Sequence, residues 1–120
     1  MNKIVKVVIS FLLILSIGFV ISNQQAEASS LVDSSKITTT STSLSGNVGG
    51  TTKICLRAEG LGWFYNPVVS IYNDGSYVTQ EQIGVGDCIS FNAGSTKNRS
   101  FTANVSRLSV PGTFYFDLYN

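Results

Sequence analysis

Short runs of apolar and β-branched residues, recurring roughly every 10 to 15 positions between Gly, Asn, Asp and Pro breaks, fill the chain from Ile37 onward. The runs are 53–58, 68–72, 77–83, 88–93, 101–106 and 113–119. The breaks are 47–50, 73–75, 84–87, 94–98 and 111–112. No stretch of ten residues spaces its apolar positions by three and four, so helix is expected to be close to absent. The β-branched Thr38, Thr39 and Thr40 favour an extended chain and make 37–44 a further, edge strand. Together these give about seven strands and an all-β, antiparallel sandwich.

Two places fix the pattern locally. Tyr72-Asn73-Asp74-Gly75-Ser76-Tyr77 reads as a hairpin, because Asp-Gly tolerates the positive φ that a tight reversal needs. Near the C-terminus, Phe101, Ala103 and Val105 share one strand face, as do Phe114, Phe116 and Leu118, with Thr102, Asn104, Tyr115, Asp117 and Tyr119 opposite. These two strands are expected to supply much of the core.

Cys55 and Cys88 are the only cysteines, and in a small exported chain they are expected to form one disulfide. Their parity places it. Ile54, Leu56 and Ala58 form the apolar set of one strand, with Cys55 alternating beside Lys53 and Arg57; Cys88 alternates against Ile89 and Phe91. With the apolar sets inward, the bridge lies on the outer face of one sheet.

The segment Leu108-Ser109-Val110-Pro111-Gly112-Thr113-Phe114-Tyr115-Phe116 resembles the crossover before the last strand in secreted bacterial immunoglobulin-like modules. The resemblance covers about 20 residues and implies an immunoglobulin-like sandwich. It implies nothing about a ligand, since that fold hosts many functions. An outer-face disulfide departs from the antibody pattern, where the bridge sits in the core beside a tryptophan.

The N-terminus carries a secretion signal: Lys3 and Lys6, an apolar run, and the small-x-small site Ala26-Glu27-Ala28. Residues 1–28 are therefore expected to be a signal peptide, 29–36 a flexible tail and 37–120 a single domain. The polar Asn23-Gln24-Gln25 break argues against a retained anchor, no cysteine follows the run to accept a lipid, and no sorting tail precedes Asn120. A secreted product with no stable membrane anchor is expected. The leader looks bacterial, which makes the glycosylation matches at Asn98 and Asn104 incidental.

Removing Lys3, Lys6 and Glu27 from the eight Lys/Arg and seven Asp/Glu leaves six of each. A near-neutral chain without a basic cluster is a poor nucleic-acid binder, because that binding needs Lys and Arg to neutralise phosphates. The chain has no histidine, which excludes Ser-His-Asp and Cys-His catalysis and removes the commonest metal ligand. Asp74 and Asp87 are explained by turns and Glu81 by a solvent-facing strand position, so no carboxylate pair is in evidence. No Asp-x-Asp-x-Asp loop offers a calcium site, and the glycine pairs 60/62 and 84/86 continue into no phosphate-cradling motif. Neither catalysis nor a cofactor is expected.

The expected functional feature is Gly60-Leu61-Gly62-Trp63-Phe64-Tyr65-Asn66-Pro67, which sets three consecutive aromatics in a loop. They cannot all turn inward, so at least one of Trp63, Phe64 and Tyr65 is expected to meet a partner, by stacking on a sugar or entering a protein pocket. The competing structural role is to plug the end of the sandwich. Tyr72, Tyr77, Tyr115 and Tyr119 form a second outward aromatic set. The leading expectation is a secreted, non-enzymatic sandwich that binds an extracellular protein or glycan. The alternatives are an antimicrobial or membrane-acting toxin, weakened by the missing cationic amphipathic segment, and an inhibitor of an extracellular hydrolase. Self-association through an exposed edge such as 37–44, which carries neither charge nor proline inside the strand, is a further expectation.

Overall fold

The computed structural model describes residues 29–60 and 64–120. Residues 1–28, expected from the sequence to be a signal peptide, and Trp63 lie outside the described residues. Eight strands follow one another: β1 (Leu31–Lys36), β2 (Ser41–Val48), β3 (Thr51–Glu59), β4 (Val68–Asn73), β5 (Ser76–Gln82), β6 (Cys88–Asn92), β7 (Lys97–Val105) and β8 (Thr113–Tyr119). Six of the seven expected strands form close to their expected positions, the seventh is shifted, and β1 makes eight.

The strands make two four-stranded antiparallel sheets, ordered β1-β8-β3-β6 and β2-β7-β4-β5. Read along the chain, β1 pairs with β8, β2 with β7, β3 with β6 and β4 with β5. The molecule is thus one long antiparallel ribbon, rolled so that successive rungs alternate between the sheets and closed by the β3:β8 and β4:β7 pairings. This is the strand order of a jelly roll. An immunoglobulin constant domain divides its strands four and three, as ABED and CFG.

Binary alternation explains why the layers pack. In β2 Thr42, Leu44 and Val48 are buried, in β3 Thr52, Ile54 and Leu56, in β7 Phe101, Ala103 and Val105, and in β8 Phe114, Phe116 and Leu118. These side chains meet between the sheets with Val69, Ile71 and Ile89 as one core. Tyr72 faces Tyr77 and Asn73 faces Ser76 across the β4–β5 hairpin, and Asp74 and Gly75 take φ of 49° and 86°, as the sequence leads one to expect.

Two expectations are corrected at the N-terminal side. Residues 29–36 are not a loose tail: Leu31–Lys36 is strand β1, paired with β8, and Ser30 exchanges backbone hydrogen bonds with Asn120 at 3.0 and 3.1 Å. The edge strand expected at 37–44 starts instead at Ser41, because Ile37 is buried and donates its N–H to the Phe114 carbonyl at 2.8 Å while the chain crosses between sheets. The edges β1 and β2 then meet. Asp33 Oδ2 accepts the Ser45 N–H at 2.8 Å, and a Cβ on Gly46 would stand 2.2 Å from Val32 Cγ1. A carboxylate side chain so covers part of the β2 edge.

Rolling the ribbon also sorts the connections. The β1–β2, β3–β4, β5–β6 and β7–β8 connections, which include the three longest, leave the strands at one end of the sandwich, and the turns at 49–50, 74–75 and 93–96 join them at the other.

Candidate functional site

The aromatic loop belongs to the end with the long connections, and its rings take different roles. Tyr65 is 1% exposed, its ring centroid 4.4 Å from that of Phe114, and its hydroxyl donates to the Arg107 carbonyl. Burial holds the phenol above its ordinary pKa, so it stays a protonated donor. Tyr65 is thus the plug of the sandwich end and not an exposed contact, which corrects its place among the partner-binding residues. Phe64, one position earlier, is 63% exposed. Phe64 sits in a short 3-10 turn just before Tyr65, so the two adjacent rings part, one into the core and one to the surface.

Asn66 and Pro67, which lead into β4, are fastened to β5 and the residue after it. Gln82 Nε2 donates to the Asn66 carbonyl at 3.3 Å, and Ile83 donates its N–H to the Pro67 carbonyl at 3.1 Å. Asp87 Oδ2 accepts the Gly84 N–H at 2.9 Å, the role in a reversal that the sequence suggests for this carboxylate. Asp74 lies at the opposite end, where Oδ1 accepts the Ser100 N–H at 2.8 Å and Oδ2 stands 3.9 Å from Arg99. Asp74 and Asp87 are thus held in separate turns. Among the described residues no group of His, Cys, Asp and Glu is arranged to hold a metal ion.

A second surface is the outer face of the β1-β8-β3-β6 sheet. The Cys55–Cys88 disulfide lies on it, between residues in direct register on β3 and β6, as parity predicts. Beside it Arg57 Nε donates to Asp117 Oδ2 at 2.8 Å, Ser34 Oγ donates to Oδ1 at 2.5 Å, and the Arg57 guanidinium sits 4.3 Å from the Tyr115 ring centroid. Burial pushes the Asp117 carboxyl up, but the hydrogen bonds from Arg57 and Ser34 and the nearby positive charge outweigh it and hold it below its ordinary value. The same hydrogen bond raises the Arg57 guanidinium. A shallow depression of about 490 Å³ opens over the disulfide, Lys53 and Tyr119. On this face Arg57 and Asp117 are paired to each other, and Lys53 stands at the depression beside them.

The third surface is the outer face of the β2-β7-β4-β5 sheet. Side chains opposite the buried set of each strand stand here, and Tyr72 and Tyr77 meet edge to face at 5.9 Å. The four tyrosines read from the sequence as one outward set are therefore divided, Tyr115 and Tyr119 on one sheet and Tyr72 and Tyr77 on the other. Sequence reading missed the ion pair, because Arg57 and Asp117 are joined only by the non-local β3:β8 register. It also missed the buried Arg99, whose Nε donates to the Val48 carbonyl at 3.3 Å. No protein-family model matches the chain and no curated protein matches it either, so its surfaces are the ground for assigning a role.

Proposed function

We propose that the protein is a secreted, non-enzymatic β-sandwich that binds an extracellular protein or glycan through the end carrying its long loops. The observation that supports this reading is the split between adjacent rings: Tyr65 locks the loop into the core while Phe64 is held at the surface. Rigid aromatic side chains supply contact area at low entropic cost, and a loop anchored by its own neighbour is preorganised for contact. The lack of histidine and the separation of Asp74 from Asp87 support the non-enzymatic part. The disulfide suits an oxidising compartment and so supports export. The resemblance to secreted bacterial immunoglobulin-like modules is limited, on this reading, to a two-sheet scaffold that presents loops at one end.

The test is capture from culture medium and cell envelopes by the wild-type protein and by Phe64→Ala and Trp63→Ala variants with wild-type thermal unfolding. A partner held by the wild type and lost with Phe64→Ala supports the loop-end site. Equal recovery by all three proteins overturns it.

A further inference from the structure

We propose that the outer face of the β2-β7-β4-β5 sheet is a binding surface for a neutral polysaccharide chain. This goes beyond the loop-end contact and uses a different surface, so either reading can fail without the other.

Register builds the face. One row across the four strands is Ser41, Asn104, Ser70 and Gln80; the next is Ser43, Thr102, Tyr72 and Tyr77. On β2, β7 and β4 these positions alternate with buried ones such as Leu44, Ala103 and Ile71, so the rows point away from the core; β5 joins them by register, its bulge beside Tyr72 bringing Tyr77 onto the same face as Gln80. The rows continue through Ser45 with Ser100 and Asn47 with Asn98. No outward position of this face carries a charge. The two carboxylates of these segments stand aside from it: Asp74 lies in the turn with its Oδ1 on the Ser100 N–H, and Glu81, exposed on the edge strand, is opposite Val69 and so on the other side of that strand from Gln80.

That composition selects the ligand. A face kept merely in water ordinarily carries Lys and Glu, since about a quarter of the residues in a soluble domain are charged. An anionic polymer or lipid surface would need cations here. Protein interfaces are depleted in serine and apolar at their centre, whereas serine recurs in every row of this one save the last. What remains matched to it is a ligand that is uncharged and rich in hydroxyls. Serine, threonine, asparagine and glutamine side chains both donate and accept, as sugar hydroxyls do. Tyr77, 61% exposed at the edge of the face, offers a ring for a sugar's apolar side, and Tyr72 buttresses it edge-on. Gln80 is aligned by the Ser70 Oγ hydrogen bond to its Oε1 at 3.1 Å, which leaves its amide N–H groups to donate outward.

The experiment is affinity electrophoresis of the protein expressed from its full-length sequence, in gels containing laminarin, glucomannan or dextran as neutral polymers and hyaluronate as an anionic one. The expected result is retardation by at least one neutral polymer. Tyr77→Ala and Thr102→Lys, each with wild-type unfolding, should weaken it roughly five- to tenfold, while Phe64→Ala leaves it unchanged. Retardation by hyaluronate alone, retardation insensitive to both face variants, or none in any neutral polymer overturns the proposal. Sedimentation as a dimer that Thr102→Lys converts to a monomer also overturns it, because the face is then covered by a second copy.

Discussion

Cys55 and Cys88 stand directly opposite each other on β3 and β6, their Cα atoms 3.9 Å apart, and are bridged on the solvent side of the sheet. The bridge therefore fills no space in the core. Its contribution is to the unfolded chain, where it closes a loop across a sequence separation of 33 residues. In the chain-entropy account a loop of that length contributes about 3 to 4 kcal/mol. Cys55→Ser/Cys88→Ser should lose that amount in urea unfolding, and reduced wild type should match the double variant. A loss below about 1 kcal/mol would place the stabilisation elsewhere.

The Arg57, Asp117 and Ser34 cluster makes stability depend on acid. Asp117 titrates lower in the folded chain than in the unfolded one, where an aspartate titrates near about 3.9. The unfolded state thus takes up the proton first. The contribution is fully present above about pH 4 and is lost as pH falls through the folded value. Asp117→Asn should lower stability at neutral pH by about 1 to 2 kcal/mol and flatten its fall below pH ~4. Thermal unfolding of both proteins across that range measures the difference.

Neighbouring rings of the aromatic loop should behave oppositely. Tyr65→Phe removes the hydroxyl that satisfies the Arg107 carbonyl and should cost about 1 kcal/mol. Tyr65→Ala empties the space against Phe114 and should cost about 3 to 5 kcal/mol. Phe64→Ala, at an exposed position, should change stability by about 0.5 kcal/mol or less. Equal losses for Phe64→Ala and Tyr65→Ala in chemical denaturation would mean both rings belong to the core.

What the sequence disclosed follows from what is local. Strands with strict alternation, such as 101–106, are legible because one face must be buried, and the same parity sets Cys55 and Cys88 outward. Strand β1 was not legible, because Leu-Val-Asp-Ser-Ser-Lys alternates poorly and becomes a strand through pairing with β8, more than 80 residues away, as the separation of 83 between Ser34 and Asp117 shows. The β-branched run at Thr38 to Thr40 indicates extended backbone, but propensity does not say whether extended backbone is paired. In the aromatic loop the sequence requires an exposed ring without choosing it; the anchor on Arg107 chooses. The serines, threonine and asparagines of the uncharged face are all visible in the chain, yet they form one surface only once β2, β7 and β4 lie side by side.

The two glycines between β2 and β3 should fail for different reasons. Gly49 is held against the 93–96 turn, where an added Cβ would stand 2.5 Å from both the backbone N and the Cα of Thr96. Gly50 has open space around it but a φ of 64°, and it exchanges hydrogen bonds with Gly94 and Ala93 at 2.8 and 2.9 Å. Gly49→Ala must displace backbone and should cost about 1 to 3 kcal/mol. Gly50→Ala meets only the left-handed backbone penalty, about 1 to 2 kcal/mol. Asparagine, which visits that region more readily, separates the causes: Gly50→Asn should recover part of the loss, whereas Gly49→Asn should be at least as damaging as Gly49→Ala. Urea midpoints of the four variants decide it, and recovery by asparagine at position 49 would show that no close approach to Thr96 constrains this turn.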